Sequence, residues 1–326
     1  MKAIQVADDD NHTLAWGEVD SPSPAKGEVL VRVAATAVNR ADLLQRRGLY
    51  PVPEGASPIL GLEISGTISQ LGEGVEGWEI GDRVCALLSG GGYAEYAVVP
   101  VEMLLPVPSS LDLVEAAAIP EVFYTAYLNI FLEANQTQGE RVLVHAGASG
   151  VGTAAIQLCK VFDSPVYATA SGSKLDFLEE LGVEAAIDRR SEDFAERIDD
   201  LTDGEGVDII LDPVAADYLE RNLSILKTCG RLVIIGLLSG TSAELPLAKL
   251  LRHRLRIIGS VLRSRSHAEK AEITARFREE VWPWFESGDL SPIIYRMLPI
   301  TAANEAHEIL YNNENIGKVV LRVRNN

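Results

Sequence analysis

The sequence predicts an α/β protein in two parts: a compact antiparallel β-barrel and a doubly wound parallel sheet. Three observations carry that expectation. Residues 1 to about 120 hold short strand patterns punctuated by Gly and Pro clusters, the mark of a small antiparallel barrel. From about 121 to 264 the rhythm changes to alternating strand and helix, which calls for a parallel sheet. Within that stretch an apolar strand, Arg141 to His145, runs into Gly147-Ala-Ser149-Gly150-Val151-Gly152 and then an Ala-rich helix start.

In the first part the strand patterns are Val29–Ala34, Ile64–Ile68, Arg83–Leu87 and Tyr93–Val99, separated by clusters such as Ser21-Pro-Ser-Pro24 and Ser89-Gly-Gly-Gly92. In the second, strands are expected near 141–145, 166–170, 184–188, 207–211, 231–235 and 255–259. A polar helix follows from Ala268 to roughly Ser287. The closing pattern, Lys318 to Val323, is a strand expected to return to the first domain. The domains are therefore 1–120 with 265–326, and 121–264.

Composition narrows the function classes. A 47% hydrophobic content with 23% charge is that of an ordinary globular chain. A formal net charge of −18, with no local Lys/Arg tract, argues against nucleic acid and anionic lipid as partners. The acid excess is read as serving solubility. The start of the chain reads as a strand without the apolar core of a signal peptide, and about 18 uninterrupted apolar residues occur nowhere, so a cytoplasmic, membrane-free protein is expected. Cys85, Cys159 and Cys229 lie far apart in apolar contexts and are expected to be reduced, buried thiols.

The glycine turn carries the chemistry. Strand, small-residue bend and helix start together aim backbone N–H groups and the helix dipole at a pyrophosphate. Ser149 stands where the usual second glycine of the fingerprint would be. After the second strand, Ser171-Gly172-Ser173-Lys174 brings hydroxyls and an ammonium, with no acid before Asp176 to hold a ribose 2′-OH. Arg189 follows the third strand and adds a cation, so the 2′-phosphate of NADPH is the expected ligand of Ser173, Lys174 and Arg189.

Longer motifs carry a resemblance. Pro58-Ile-Leu-Gly61-Leu-Glu63-Ile-Ser-Gly66, Leu71-Gly-Glu-Gly74-Val75 and Ile80-Gly-Asp-Arg-Val84, with Asn39-Arg-Ala-Asp42-Leu, Leu262-Arg-Ser-Arg265 and Asn315-Ile-Gly-Lys318, resemble the medium-chain dehydrogenase/reductases. Within them the chain is similar to the zinc-free NADPH quinone oxidoreductases. The resemblance implies a GroES-like catalytic domain, a Rossmann domain, NADPH in the cleft between them, and a homodimer paired through the sixth strand near Arg256–Ser260. It also implies cofactor contacts at Tyr50, Ser149, Gly150, Val151, Gly152, Leu262, Arg263 and Asn315. Gly147 and Lys318 belong to the same motifs, and Thr125, on the joining helix, is placed beside the nicotinamide amide, its aromatic neighbours packing between domains. Arg189 departs from the tyrosine that relatives carry there.

The same alignment of motifs puts Asn39 and Leu62 where the zinc members of the family hold a cysteine and a histidine, and four clustered cysteines are missing too. No metal is expected. Without a Lewis acid the acceptor must take hydride readily, which favours a quinone, then an activated enone. The candidate catalytic residues are Asn39 and Tyr50. Asn39 would hold a carbonyl through its amide or brace its loop, and Tyr50 would line the acceptor site or simply pack. Glu63 is read as structural, Arg40 and Asp42 as a local ion pair, and His145 as a satisfied core histidine. An enoyl reductase and a non-catalytic NADPH-binding protein remain the alternatives.

Overall fold

The computed structural model describes residues 1–324, which fall into two compact units, Met1–Tyr124 with the segment from Leu262 on, and Thr125–Val261. The first unit opens with β1 (Lys2–Val6), β2 (Leu14–Glu18) and β3 (Glu28–Ala37). It continues through β4 (Glu63–Leu71), β5 (Arg83–Leu87), β6 (Tyr96–Pro100) and β7 (Leu104–Pro106). The second unit holds β8 (Val142–Val144), β9 (Val166–Ala170), β10 (Ala185–Asp188), β11 (Val207–Asp212), β12 (Leu226–Ile234) and β13 (Arg256–Gly259). β14 (Ile294–Pro299) and β15 (Lys318–Arg322) complete the first unit.

In the first unit seven strands form one curved sheet in the order β14-β15-β3-β4-β5-β7, with β6 also paired to β3. The alternation in β3 drives Val29, Val31 and Val33 into a core with Ile64, Ile68, Val84 and Val99. Two bulges let β3 turn the corner against β4, and at that corner Gly66 leaves room for the Arg32 carbonyl, 2.2 Å from where a Cβ would stand. The expected antiparallel barrel is thus a strongly bent sheet in which no pairing among the described residues closes the ring. One of its ladders, β14 with β15, is parallel. β15 then pairs antiparallel with β3, Val320 opposite Ala37.

The second unit is a six-stranded parallel sheet in the order β10-β9-β8-β11-β12-β13. The order reverses between β8 and β11, where an α/β sheet opens a crevice at the carboxyl ends of its strands. Leu143, Ile187, Ile198, Ile210 and Leu223 fill the core beside it.

Two expectations are corrected. The helix read over Ala268–Ser287 is two helices, His267–Glu280 and Trp282–Ser287, because Pro283 cannot supply an interior N–H and restarts the turn as its first-turn residue. Cys85 and Cys159 are buried, but Cys229 is exposed. It sits at φ +68° on the outward bend of β12, where its N–H bonds to the His253 carbonyl.

Candidate functional site: a glycine turn and a buried polar cluster

In the second unit β8 ends in a tight turn. Ala146 adopts φ +54°, an uncommon conformation for a residue with a Cβ, and brings the chain round to Ser149. Ser149 caps the helix Gly150–Val161, its Oγ accepting the Gly152 N–H at 3.0 Å. Gly152 must be glycine because a Cβ there would stand 2.4 Å from the Gly147 carbonyl oxygen, and one on Gly147 would meet Ala168 at 2.7 Å. Among the described residues the amides of Gly150 and Val151 find no acceptor. Glycine cradle, free first-turn amides and a twelve-residue helix fit the pyrophosphate of a dinucleotide.

Beyond β9, Ser173 and Lys174 lie in a single 3₁₀ turn, Gly172–Lys174, that leads into the next helix. Burial first, then the Arg189 charge, pulls the Lys174 ammonium below its ordinary value. Arg189 donates from Nε to Ser171 Oγ at 3.4 Å. Two cations held near one another are what a doubly charged phosphate would relieve. Asp188 also faces this turn, its Oδ2 being 2.8 Å from where a Gly172 Cβ would stand, an acid that the second-strand rule did not consider.

His145 is a satisfied core residue. Its ring nitrogens meet Thr169 Oγ1 at 3.0 Å and Asn222 Oδ1 at 2.7 Å, between the edges of Phe194 and Tyr218. Burial lowers its pKa, so the neutral ring persists. Asn222 passes the chain of hydrogen bonds to Asp212, whose other oxygen holds the Val214 and Ala215 amides. Thr125 is half-exposed, and its carbonyl accepts from Asn129 Nδ2 at 2.7 Å. Of its aromatic neighbours, Phe123 and Tyr124 pack on Phe285 and Phe277 within the first unit, and Tyr127 stacks on Phe131 within the second.

In the first unit Asn39, Glu63 and Lys318 form a buried cluster. Lys318 Nζ lies 2.6 Å from Asn39 Oδ1, 2.8 Å from Glu63 Oε1 and 3.0 Å from the Val38 carbonyl. These three acceptors match its three N–H bonds, leaving none for a cofactor. Asn39 Nδ2 donates to Glu63 Oε1 at 2.8 Å, so both ends of its amide are occupied by protein, which is the bracing role. Glu63 Oε2 accepts the Glu121 N–H at 2.9 Å, and Glu63 is the structural residue expected of it.

The expected ion pair of Arg40 with Asp42 does not form. Asp42 turns inward as acceptor for the Asn39 and Gly61 amides at 2.8 and 3.0 Å, whereas Arg40 reaches Asn313 Oδ1 at 2.7 Å. A carboxylate in the first turn of a helix is placed to accept the N-cap amide, here Asn39, and the Gly61 amide adds a second donor, so the Arg40 guanidinium is left to Asn313.

Tyr50 is half-buried, its ring 5.2 Å from the Arg263 guanidinium carbon. Leu262 is buried; Arg263 is too, with Nε on the Ser89 carbonyl and Nη2 on Gln45 Oε1, while Nη1 has no partner. Asn315 donates to the Gly317 carbonyl. Sequence reasoning missed Glu121, the acid directly after Pro120 in an apolar helical stretch. Its backbone N–H is the donor to Glu63 Oε2, and its charge is felt at Tyr50, Arg263 and Lys270.

Zinc does not suit this chain's donors. Asn39 offers an amide, Leu62 a hydrocarbon, and the Lys318 ammonium already stands against Asn39 Oδ1. Among the described residues no group of three His, Cys, Asp or Glu is disposed to hold a metal ion. Nor is any helix long and apolar enough to cross a membrane.

A bent GroES-like sheet and a parallel sheet with a dinucleotide turn define an α/β oxidoreductase architecture. Residues 25–109 match the alcohol dehydrogenase GroES-like domain and residues 150–281 the zinc-binding dehydrogenase family. The rat synaptic vesicle membrane protein VAT-1 homolog is 32% identical over 319 residues, covering 92% of this chain and 78% of that one. The chain belongs to the medium-chain dehydrogenase/reductase superfamily, a superfamily of oxidoreductases. It is also 37% identical over 220 residues to a phenolphthiocerol/phthiocerol polyketide synthase subunit of Mycobacterium tuberculosis, spanning 67% of this chain and a tenth of that far longer protein (10%). Among solved structures, an NAD-dependent alcohol dehydrogenase superposes with TM-score 0.88 at 32% identity, covering 99% of this chain and 100% of that one. CurK enoyl reductase superposes with TM-score 0.87 at 30% identity, covering 98% of each.

Proposed function

We propose that the protein is an NADPH-dependent oxidoreductase that passes hydride to a quinone without a metal. The observation that carries this reading is the glycine cradle at Gly147–Gly152, together with Asn39 and Leu62 at the positions where zinc members of the family carry ligands and with the Lys318 ammonium against Asn39 Oδ1. Bound NADPH supplies the hydride and its two electrons. The chain's own part is binding and placement: Gly150 and Val151 amides take the pyrophosphate, Lys174 and Arg189 the 2′-phosphate, and Tyr50 lines the acceptor pocket. Placement alone is worth up to about 7–11 kcal/mol of barrier for ideally oriented partners.

Reduction of an activated enone is the second reading, favoured by the likeness to CurK enoyl reductase and by the polar Tyr50–Arg263 surface. Initial rates of NADPH oxidation with an ortho-quinone, a para-quinone and an α,β-unsaturated ketone separate the two. Faster turnover of quinones is expected, faster turnover of the ketone assigns the enone reading, and no oxidation by any of the three overturns both.

A further inference from the structure

We propose that Asp188 is a positioning residue for cofactor choice: its carboxylate ties the loop after β10 to the turn after β9, so that Arg189 and Lys174 are presented to one 2′-phosphate. The proposal rests on the oxidoreductase reading above and deepens it, at a place built wholly within the second unit. An acid beside a phosphate either repels it or organises the cations around it, and the contacts of Asp188 favour the second.

In the parallel ladder Asp188 stands opposite Ala170, the last residues of β10 and β9. The two chains therefore leave the sheet side by side. The Arg189 N–H bonds to the Ala170 carbonyl at 2.9 Å, and its Nε donates to Ser171 Oγ at 3.4 Å. Asp188 Oδ1 accepts the Arg190 N–H at 3.0 Å, and Oδ2 accepts the Ser191 hydroxyl at 2.9 Å. The same Oδ2 lies against Gly172, 2.8 Å from where a Cβ would stand, so a side chain at that position would push the carboxylate from its seat.

The Arg190 amide first, then the Ser191 hydroxyl, with the Gly172 amide as a further donor, hold the Asp188 carboxyl below the usual carboxylate range. The carboxylate is thus engaged by the loops themselves, and Arg189 forms no ion pair among the described residues. With its backbone fixed to β9 and its Nε to Ser171, Arg189 keeps its terminal N–H groups for a phosphate. A cation held in place beforehand loses less freedom on binding, which is how a residue that never touches the ligand sets its affinity.

The test uses the full chain and calorimetric affinities for NADPH, NADH and a probe pair that lacks the nicotinamide, adenosine 2′,5′-bisphosphate and AMP. Expected in D188A is about tenfold weaker binding of NADPH and of the bisphosphate, with NADH and AMP little changed. D188N, whose amide oxygen still accepts the Arg190 N–H, is expected to restore NADPH affinity close to the native value. G172A is expected to match D188A, and the double variant to lose no more than either single one, because both act on one seat. Native or tighter NADPH binding in D188A would show that the carboxylate only repels the phosphate, and equal loss of NADPH and NADH that it only supports the fold. Either result overturns the proposal, as does additive loss in the double variant. A native protein that prefers the bisphosphate to AMP but reduces no acceptor fails the oxidoreductase reading alone, and the variants still judge Asp188.

Discussion

Lys318 is the cation against which Glu63 and Asn39 are held, with 3% of its surface exposed. Replacing it by methionine leaves a fully buried carboxylate without its charge partner, and removal of one member of such a pair costs about 3–5 kcal/mol. Urea unfolding of Lys318→Met is expected to show that loss in its midpoint; a native midpoint would mean the pair contributes no such stability. Glu121 offers a second test at this scale. Its folded pKa, about 8, lies above the ordinary 4.5, so the folded state binds the extra proton between those values. The stability this supplies is complete at the acid end and is lost as pH rises toward 8. Denaturation of Glu121→Gln across that range should lack the decline, and parallel curves for the two proteins would contradict the raised pKa.

At the scale of elements, the proposed reading divides the cofactor between the turn from β8 into its helix and the segments after β9 and β10 that carry Lys174 and Arg189. Loss of Lys174 and Arg189 by alanine replacement removes two charge-assisted contacts, each worth about 1.5–3 kcal/mol. Calorimetric NADPH affinity should drop by at least tenfold per residue with NADH little changed; equal losses for both would place the phosphate elsewhere. The Rossmann turn was legible because its glycines answer a steric demand that local sequence states directly, as Gly152 does against the Gly147 carbonyl. Strand alternation was legible for the same reason in β3. What was not legible depended on distant partners. Lys318 meets Asn39 across 279 positions, so nothing near either residue signals that the ammonium turns inward to brace the loop. Asp42 chose helix-start amides over its neighbour Arg40, and Glu121 is uncommon only because strands far away in sequence surround it with charge. The outward bend at Cys229 likewise follows from pairing with His253, not from the apolar flanks that suggested burial.

For the whole molecule, β13 is an edge strand, and Leu247 and Leu251 beside it are 66% and 79% exposed. We propose that two copies pair at this edge, continuing the sheet. Sedimentation should give twice the 35.3 kDa chain mass, and Leu247→Glu with Leu251→Glu should return it to one chain without unfolding; a native monomer would contradict the pairing. The account as a whole turns on the dinucleotide. Titration calorimetry of the native protein with NADPH and, separately, NADH is expected to give saturable heat with NADPH and an affinity for NADH at least tenfold weaker, whereas no heat with either nucleotide would contradict the account at its centre.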